Sequence, residues 1–230
     1  MNDKNGIVIS IIIPTLNEAE NIKAALDHIY QSENCQNIEV IISDGGSVDL
    51  TVDIAARYQC RIIRGNSGRA QQMNRAARQA KGDLLLFLHA DTRLPHDWFN
   101  AVGRVDRWGF FPLKLSGGHW LLRIIEGAVT LRSRLTRLAG GDQALFFKHS
   151  YFEFIGGFSN IPLMEDIAIC KEARRTAKPH IPPHAVITSS RRWESKGIVR
   201  TVLLMWLLRL AYFAGFSPES LHRLYYPQQR

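Results

Sequence analysis

Three short polar clusters could do chemistry here, because each follows an apolar run. Asp91 closes the stretch Leu-Leu-Leu-Phe-Leu-His-Ala-Asp at 84–91. A hard carboxylate at the end of a buried strand can hold Mg²⁺ or Mn²⁺ against phosphate oxygens. Pro14-Thr15-Leu16-Asn17-Glu18 and Asp44-Gly45-Gly46-Ser47 follow two earlier apolar runs. Asp44 can accept hydrogen bonds from a nucleobase imide or a ribose hydroxyl, and the glycines let a ligand come close to the backbone. Any one cluster reads equally well as a turn or a helix cap. Three on the carboxyl edge of one parallel sheet read as a ligand site.

Other residues extend that chemistry. Gly68-Arg69-Ala70 opens a helix-forming stretch, and an arginine at a helix N-terminus suits an anion. Glu165-Asp166 lies in a helical segment, Leu163–Arg175. At about 100° per residue, Asp166 falls among Leu163, Ile169, Cys170 and Ala173, while Glu165 falls near Glu172 on a polar flank. Desolvation makes a carboxylate a better base; the helix dipole alone would also favour acids there. Arg191-Arg192-Trp193 could clamp a diphosphate and stack a sugar ring, or form a basic surface loop. His180 and His184 bracket Pro182-Pro183, where a histidine could complete a metal shell or serve the structure alone.

These residues need an alternating scaffold, and the first half supplies one. Ile7–Ile13, Ile38–Ser43, Arg61–Ile63 and Leu84–His89 read as buried strands. Ala19–Gln31, Asp49–Tyr58 and Arg69–Ala80 read as the helices between them. The alternation predicts an α/β fold with a mostly parallel sheet covered on both faces. Beyond residue 100 the pattern predicts a strand over Trp108–Leu115, a helix over Trp120–Leu138, and a strand over Ala144–Phe147. The helix Leu163–Arg175 and a strand over Ala185–Thr188 follow.

The 230-residue chain is 46% hydrophobic and carries a net charge of +8. That is ordinary for a globular domain, with an anionic partner expected. Its basic residues are dispersed, which argues against nucleic acid. Cys35, Cys60 and Cys170 have no metal spacing and an odd count, so reduced thiols in a cytoplasmic protein are expected. Ile7–Ile13 is too short for a secretory signal and runs into Pro14 rather than a cleavage site.

In order and spacing these motifs resemble family 2 glycosyltransferases over residues 7–193. The resemblance implies an inverting, GT-A-fold enzyme that uses a UDP-sugar and Mg²⁺ or Mn²⁺. It implies that Pro14, Thr15, Leu16, Glu18 and Asp44 hold the nucleoside, with Gly68 and Arg69 beside it. Asp91 would be the metal acid, with His89 or His180 as further candidates, and Asp166 the base. Arg192 and Trp193 would hold diphosphate and acceptor, and Asp142, Gln143 and Glu165 would shape the acceptor side. Two departures stand out. His89 replaces the first acid of the metal motif. Ser189 replaces the glutamine that opens the arginine–tryptophan motif in polymerising members, which argues for transfer of one sugar. The acceptor is left open among glycan, lipid-linked and small molecules, in a setting of cell-envelope polysaccharide synthesis. A nucleotidyltransferase is the nearest rival, but it would open with a glycine- and basic-rich phosphate loop after the first strand. A non-catalytic, basic membrane- or nucleic-acid-binding protein is the rival from another class.

Residues 197–230 are expected to form a hydrophobic helical extension of a domain spanning 1–196. Ile198–Phe216 is apolar, yet Arg200 and Arg209 interrupt it, and a spanning helix needs about 20 apolar residues. A core helix, a homodimer contact and a peripheral contact with the inner face of the cytoplasmic membrane remain as readings.

Overall fold

The computed structural model describes residues 7–32 and 35–226. Four parallel strands, β1 (Ile9–Thr15), β2 (Ile38–Asp44), β3 (Arg61–Arg64) and β4 (Leu84–Phe87), form most of a six-stranded sheet. Its order is β3-β2-β1-β4-β8-β6, where β6 is Trp108–Gly109 and β8 is Phe146–Lys148. β8 runs antiparallel to both β4 and β6. A second sheet, ordered β5-β9-β7, joins Thr92–Arg93, Val186–Thr188 and Leu113–Leu115.

Side chains alternate across the main sheet as the pleat requires. Ile9, Ile11, Ile13, Leu84 and Leu86 pack on one face with Ile22, Leu26 and Ile29 of α1 (Ala19–Tyr30). Ile12, Leu85 and Phe87 pack on the other with Ala70, Met73, Ala76 and Ala77 of α3 (Arg69–Ala77). Ile167, Cys170 and Ala173 of α7 (Glu165–Thr176) join that second face. Burial on both faces is why these strands read as continuous apolar runs. α2 (Thr51–Ala55) links β2 to β3. The register sets Thr15 beside Asp44 and Ile12 beside Phe87, so β1, β2 and β4 end along one edge.

The second half departs from expectation in three places. Trp108–Leu115 is not one strand: β6 and β7 lie in different sheets. Pro112 cannot donate to a ladder, and the chain crosses there, with Phe110 N–H donating to the His180 carbonyl and Phe111 N–H to that of Gln143. The helices α4 (Trp98–Gly103) and α6 (His149–Phe154) appear where no helix is expected. Arg191-Arg192-Trp193 opens a short helix, α8 (Arg191–Lys196), rather than a loop. α5 (Trp120–Thr136), α9 (Ile198–Phe213) and α10 (Pro218–Tyr225) complete the chain. Pro218 at the start of α10 and Ser217, whose hydroxyl accepts from Ser220 N–H, explain that last helix.

No described helix is long and apolar enough to cross a membrane. The core reading of α9 fails for most of it. Thr201 and Leu208 are buried, while Val199, Leu203, Trp206, Leu207, Leu210 and Phe213 are exposed. Among the described residues Cys60 and Cys170 are free thiols; the Cys35 side chain lies outside the described set.

Candidate active site

The strand edge is tied together by a residue the sequence did not advertise. Gln72, buried on α3, donates from Nε2 to the carbonyls of Thr15 (2.8 Å) and Ser43 (2.7 Å). Ser43 Oγ donates back to the Gln72 carbonyl, and Gly45 N–H donates to Thr15 O. A Cβ on Gly45 would meet the Gln72 amide at 3.0 Å, so the glycine is there for close approach. Nothing in the sequence sets Gln72 apart from its neighbours Gln71 and Asn74.

Asp44 is buried beneath this loop. Its Oδ1 accepts from Thr15 and Ser47 hydroxyls and its Oδ2 from Gly46 and Ser47 N–H. Burial would raise its pKa, but the Ser47 and Gly46 bonds outweigh it and hold the carboxyl below its usual value. Thr15 and Asp44 therefore build the loop, and Leu16 lies exposed on it.

A cavity of about 560 Å³ opens at the same edge. Pro14 and Glu18 after β1, Arg69 at the start of α3, and His89 and Asp91 after β4 line it, together with Asp142 and Asp166. Burial raises the Glu18 pKa, with Asp91 adding to the effect. Asp91 Oδ1 lies 3.4 Å from the hydroxyls of Thr92 and Thr188. A smaller cavity of about 320 Å³, lined by Glu20, Asn21 and Ser116, shares Asp91, Thr188 and Ser189 with it. Asp91 thus stands on the divide between the two.

Asp166 is oriented by backbone. Its Oδ2 accepts from Gly141 N–H (2.8 Å) and its Oδ1 from Ile167 N–H (2.7 Å). Gly141 is required there, since a Cβ would lie 2.8 Å from His89 Nε2. Burial raises the Asp166 pKa against those two bonds. Asp142 is pushed up to about 6, by burial first and then by Asp166. His89 is driven down to about 3 by burial and Arg69, so it is neutral. Its Nε2 is buried without a hydrogen-bond partner.

Several expected site residues lie off the cavity wall. Glu165 is not on a polar flank: it is 4% exposed, pairs with Arg69 at 3.8 Å, and is pushed up to about 7 by burial and Asp166. It is the first residue of α7, after Met164 in the left-handed region (φ 70°), and stands one turn before the buried Ile169. Gln143 is fully buried and does not line the cavity. Its side chain accepts from Ser133 Oγ and Gly140 N–H and donates to the Phe111 carbonyl. His180 packs its ring against Phe146 beside Gly109, on the antiparallel side of the sheet, and is not among the cavity's residues. His184 bonds Asp97 instead. Gly68 caps α3 with φ 133°, a conformation suited to glycine. The side chains of Arg192 and Trp193 lie outside the described set, and only their place on α8 is fixed. α9 adds Thr201, Met205 and Arg209 to the cavity wall, and α10 adds Tyr225; the sequence pointed to none of them.

The donor set suits a divalent cation that arrives with a nucleotide. Among the described residues no group of three His, Cys, Asp or Glu side chains is placed to hold a metal. Asp91 supplies one hard carboxylate, and Mg²⁺ commonly takes one or two carboxylates together with substrate phosphates.

Residues 10–104 match the family model described as Glycosyl transferase family 2. A PGL/p-HBAD biosynthesis glycosyltransferase of Mycobacterium tuberculosis is 32% identical over 170 residues, covering 65% of this chain and 62% of its own length. Over that stretch the chain is similar to glycosyl transferase family 2. A dolichol-phosphate mannosyltransferase of Pyrococcus furiosus is 24% identical over 135 residues, or 48% of this chain and 38% of that protein. In fold, the chain is similar to the mannosyltransferase PcManGT of Pyrobaculum calidifontis, solved with GDP-Man and Mn²⁺. That likeness has a TM-score of 0.67 at 23% identity, over 97% of this chain and 70% of that one. S. aureus TarS 1–349 with UDP-GlcNAc gives a TM-score of 0.65 at 18% identity, over 80% and 58%. The mostly parallel α/β sheet is of the GT-A kind expected from the sequence.

Proposed function

We propose that the protein transfers one sugar from a UDP-sugar to an acceptor hydroxyl with inversion, the acceptor being a glycan, a lipid-linked molecule or a small molecule. The observation that carries this reading is Asp166. It is a carboxylate of raised pKa, aimed by two backbone N–H groups into the cavity that holds Asp91. Asp166 takes the acceptor proton as the hydroxyl attacks the anomeric carbon from the face opposite the diphosphate. The sugar passes through an oxocarbenium-like state, as in glycoside chemistry, and one displacement inverts the centre. Pro14, Glu18 and the Asp44 loop flank the nucleoside, and Arg69, fixed by Glu165, borders the donor. Asp142 borders the acceptor side. Arg192 and Trp193 on α8 are assigned to diphosphate and acceptor. Asp91 would hold Mg²⁺ or Mn²⁺, which neutralises charge on the departing diphosphate when bound. Ser189 supports single transfer over polymerisation.

Proteins of similar fold support a nucleotide-sugar donor, but their bound ligands differ: GDP-Man in one and UDP-GlcNAc in the other. Thermal shift with UDP, GDP and dTDP, then hydrolysis of the matching sugars, tests the choice. UDP is expected to stabilise most, and equal shifts with all three would remove the uridine assignment.

The proposed division is a transferase domain over 1–196 and an extension over 197–230 that packs on it. The exposed apolar face of α9, with Arg200 near its start, is assigned to the inner face of the cytoplasmic membrane, where cationic and apolar groups act together.

A further inference from the structure

α9 departs from the pattern of a solvated helix, being apolar outward as well as inward, where Leu204 and Leu208 pack on the core. Thr201, Met205 and Arg209, four residues apart, line the cavity, and residues at that spacing share one face. Leu203, Trp206, Leu207 and Leu210 point outward and are each more than half exposed. An amphipathic surface helix turns its charges to water and its apolar stripe inward. Here a guanidinium is turned inward.

Its surroundings say what it is for. Glu18, Asp91, Asp142 and Asp166 make the cavity rich in carboxylates. Two of its arginines are engaged, Arg69 with Glu165 and Arg191 with Glu20. Among the described residues Arg209 forms no ion pair or hydrogen bond. Its Nη2 lies 3.6 Å from where a Cβ on Gly140 would stand, so it sits at the Gly140–Asp142 turn, which also lines the cavity. An unengaged planar fork of donors in a confined site matches a phosphate.

We propose that Arg209 is a diphosphate-binding residue of the transferase site, which makes α9 part of the active site. The proposal rests on the nucleotide-sugar reading above. Arg209 donates to a phosphate oxygen of the donor, and its contact strengthens as the bond to the sugar breaks and charge gathers on the leaving diphosphate.

Calorimetric titration of the full chain tests it. UDP, GDP and dTDP are each compared with the corresponding nucleoside, with Mg²⁺ and with chelator, for wild type, Arg209→Ala and Arg209→Lys. Hydrogen bonds to charged groups correspond to a loss of roughly 10- to 100-fold on removal. Arg209→Ala is expected to lose about that much affinity for the preferred diphosphate while binding its nucleoside as wild type does. Arg209→Lys is expected to recover part of the loss. Wild-type affinity for the diphosphate in Arg209→Ala would overturn the assignment, as would a parallel loss of diphosphate and nucleoside, which marks a structural role. If wild type binds none of the three diphosphates, the nucleotide-sugar reading itself falls.

Discussion

Asp166 and Glu165 are chain neighbours with different surroundings. Asp166 faces the cavity and Glu165 holds Arg69. Asp166→Asn is expected to keep donor affinity and lose about 10²–10⁴-fold in transfer rate, the usual range for a general base. Glu165→Gln is expected to lose much less rate and to weaken donor binding through a loosened Arg69. Steady-state kinetics on both variants decide it, and the larger rate loss in Glu165→Gln would reverse the roles. Gly141→Ala places a methyl against His89 Nε2 and is expected to lower transfer with little change in nucleotide binding, because the displaced turn is the one that aims Asp166. The acids at 91 and 166 were legible because each closes or opens a recognisable segment. Glu165 was misplaced because the wheel sets it on a border, with exposed Glu172 to one side and buried Ile169 to the other. Gln143 was misplaced because nothing in its local sequence distinguishes an amide that bonds inward from one that meets a ligand.

Elements differ in how plainly they announce themselves. β1, β2 and β4 are buried on both faces, so their sequences carry no polar ambiguity. Trp108–Leu115 was equally apolar, and only Pro112 hinted at the crossing between sheets. α9 showed as a hydrophobic segment broken by Arg209. The sequence could not reveal that the break turns inward, since that depends on which side of the helix meets the turn at Gly140. Its outer face gives a prediction at this scale. The protein is expected to co-float with phosphatidylglycerol-containing vesicles, to be released by salt, and to bind roughly 10-fold more weakly as Trp206→Glu. A concentration-dependent mass without lipid, abolished by the same substitution, would assign the face to a second copy instead.

Across the whole molecule, burying several carboxylates around one cavity ties stability to pH. Glu165 rises from 4.5 to about 7 and Asp142 from 3.8 to about 6. A carboxyl with a raised folded pKa binds its proton more tightly in the native state. Its stabilising contribution is therefore full below the unfolded pKa and is lost as pH rises through the folded one. The thermal midpoint of the ligand-free protein is expected to fall from pH 4.5 to about 7 beyond what Glu165→Gln shows. Identical midpoint profiles for the two proteins would contradict the raised value.

The cavity wall made by α9 also bears on how the protein is synthesised. Ribosomes deliver the amino end first, and domains generally begin to fold as they emerge. Strands β1 to β4 and the helix α3 are out when residue 87 has left the tunnel, so the strand edge can form early. Arg209 comes more than a hundred residues later, and Tyr225 later still. The nascent chain would thus present the strand edge without the part of the cavity wall that α9 and α10 supply. Stalled chains ending after Lys196 are expected to trap less labelled nucleoside diphosphate than chains carried through Tyr226, and equal trapping would mean that the wall is dispensable.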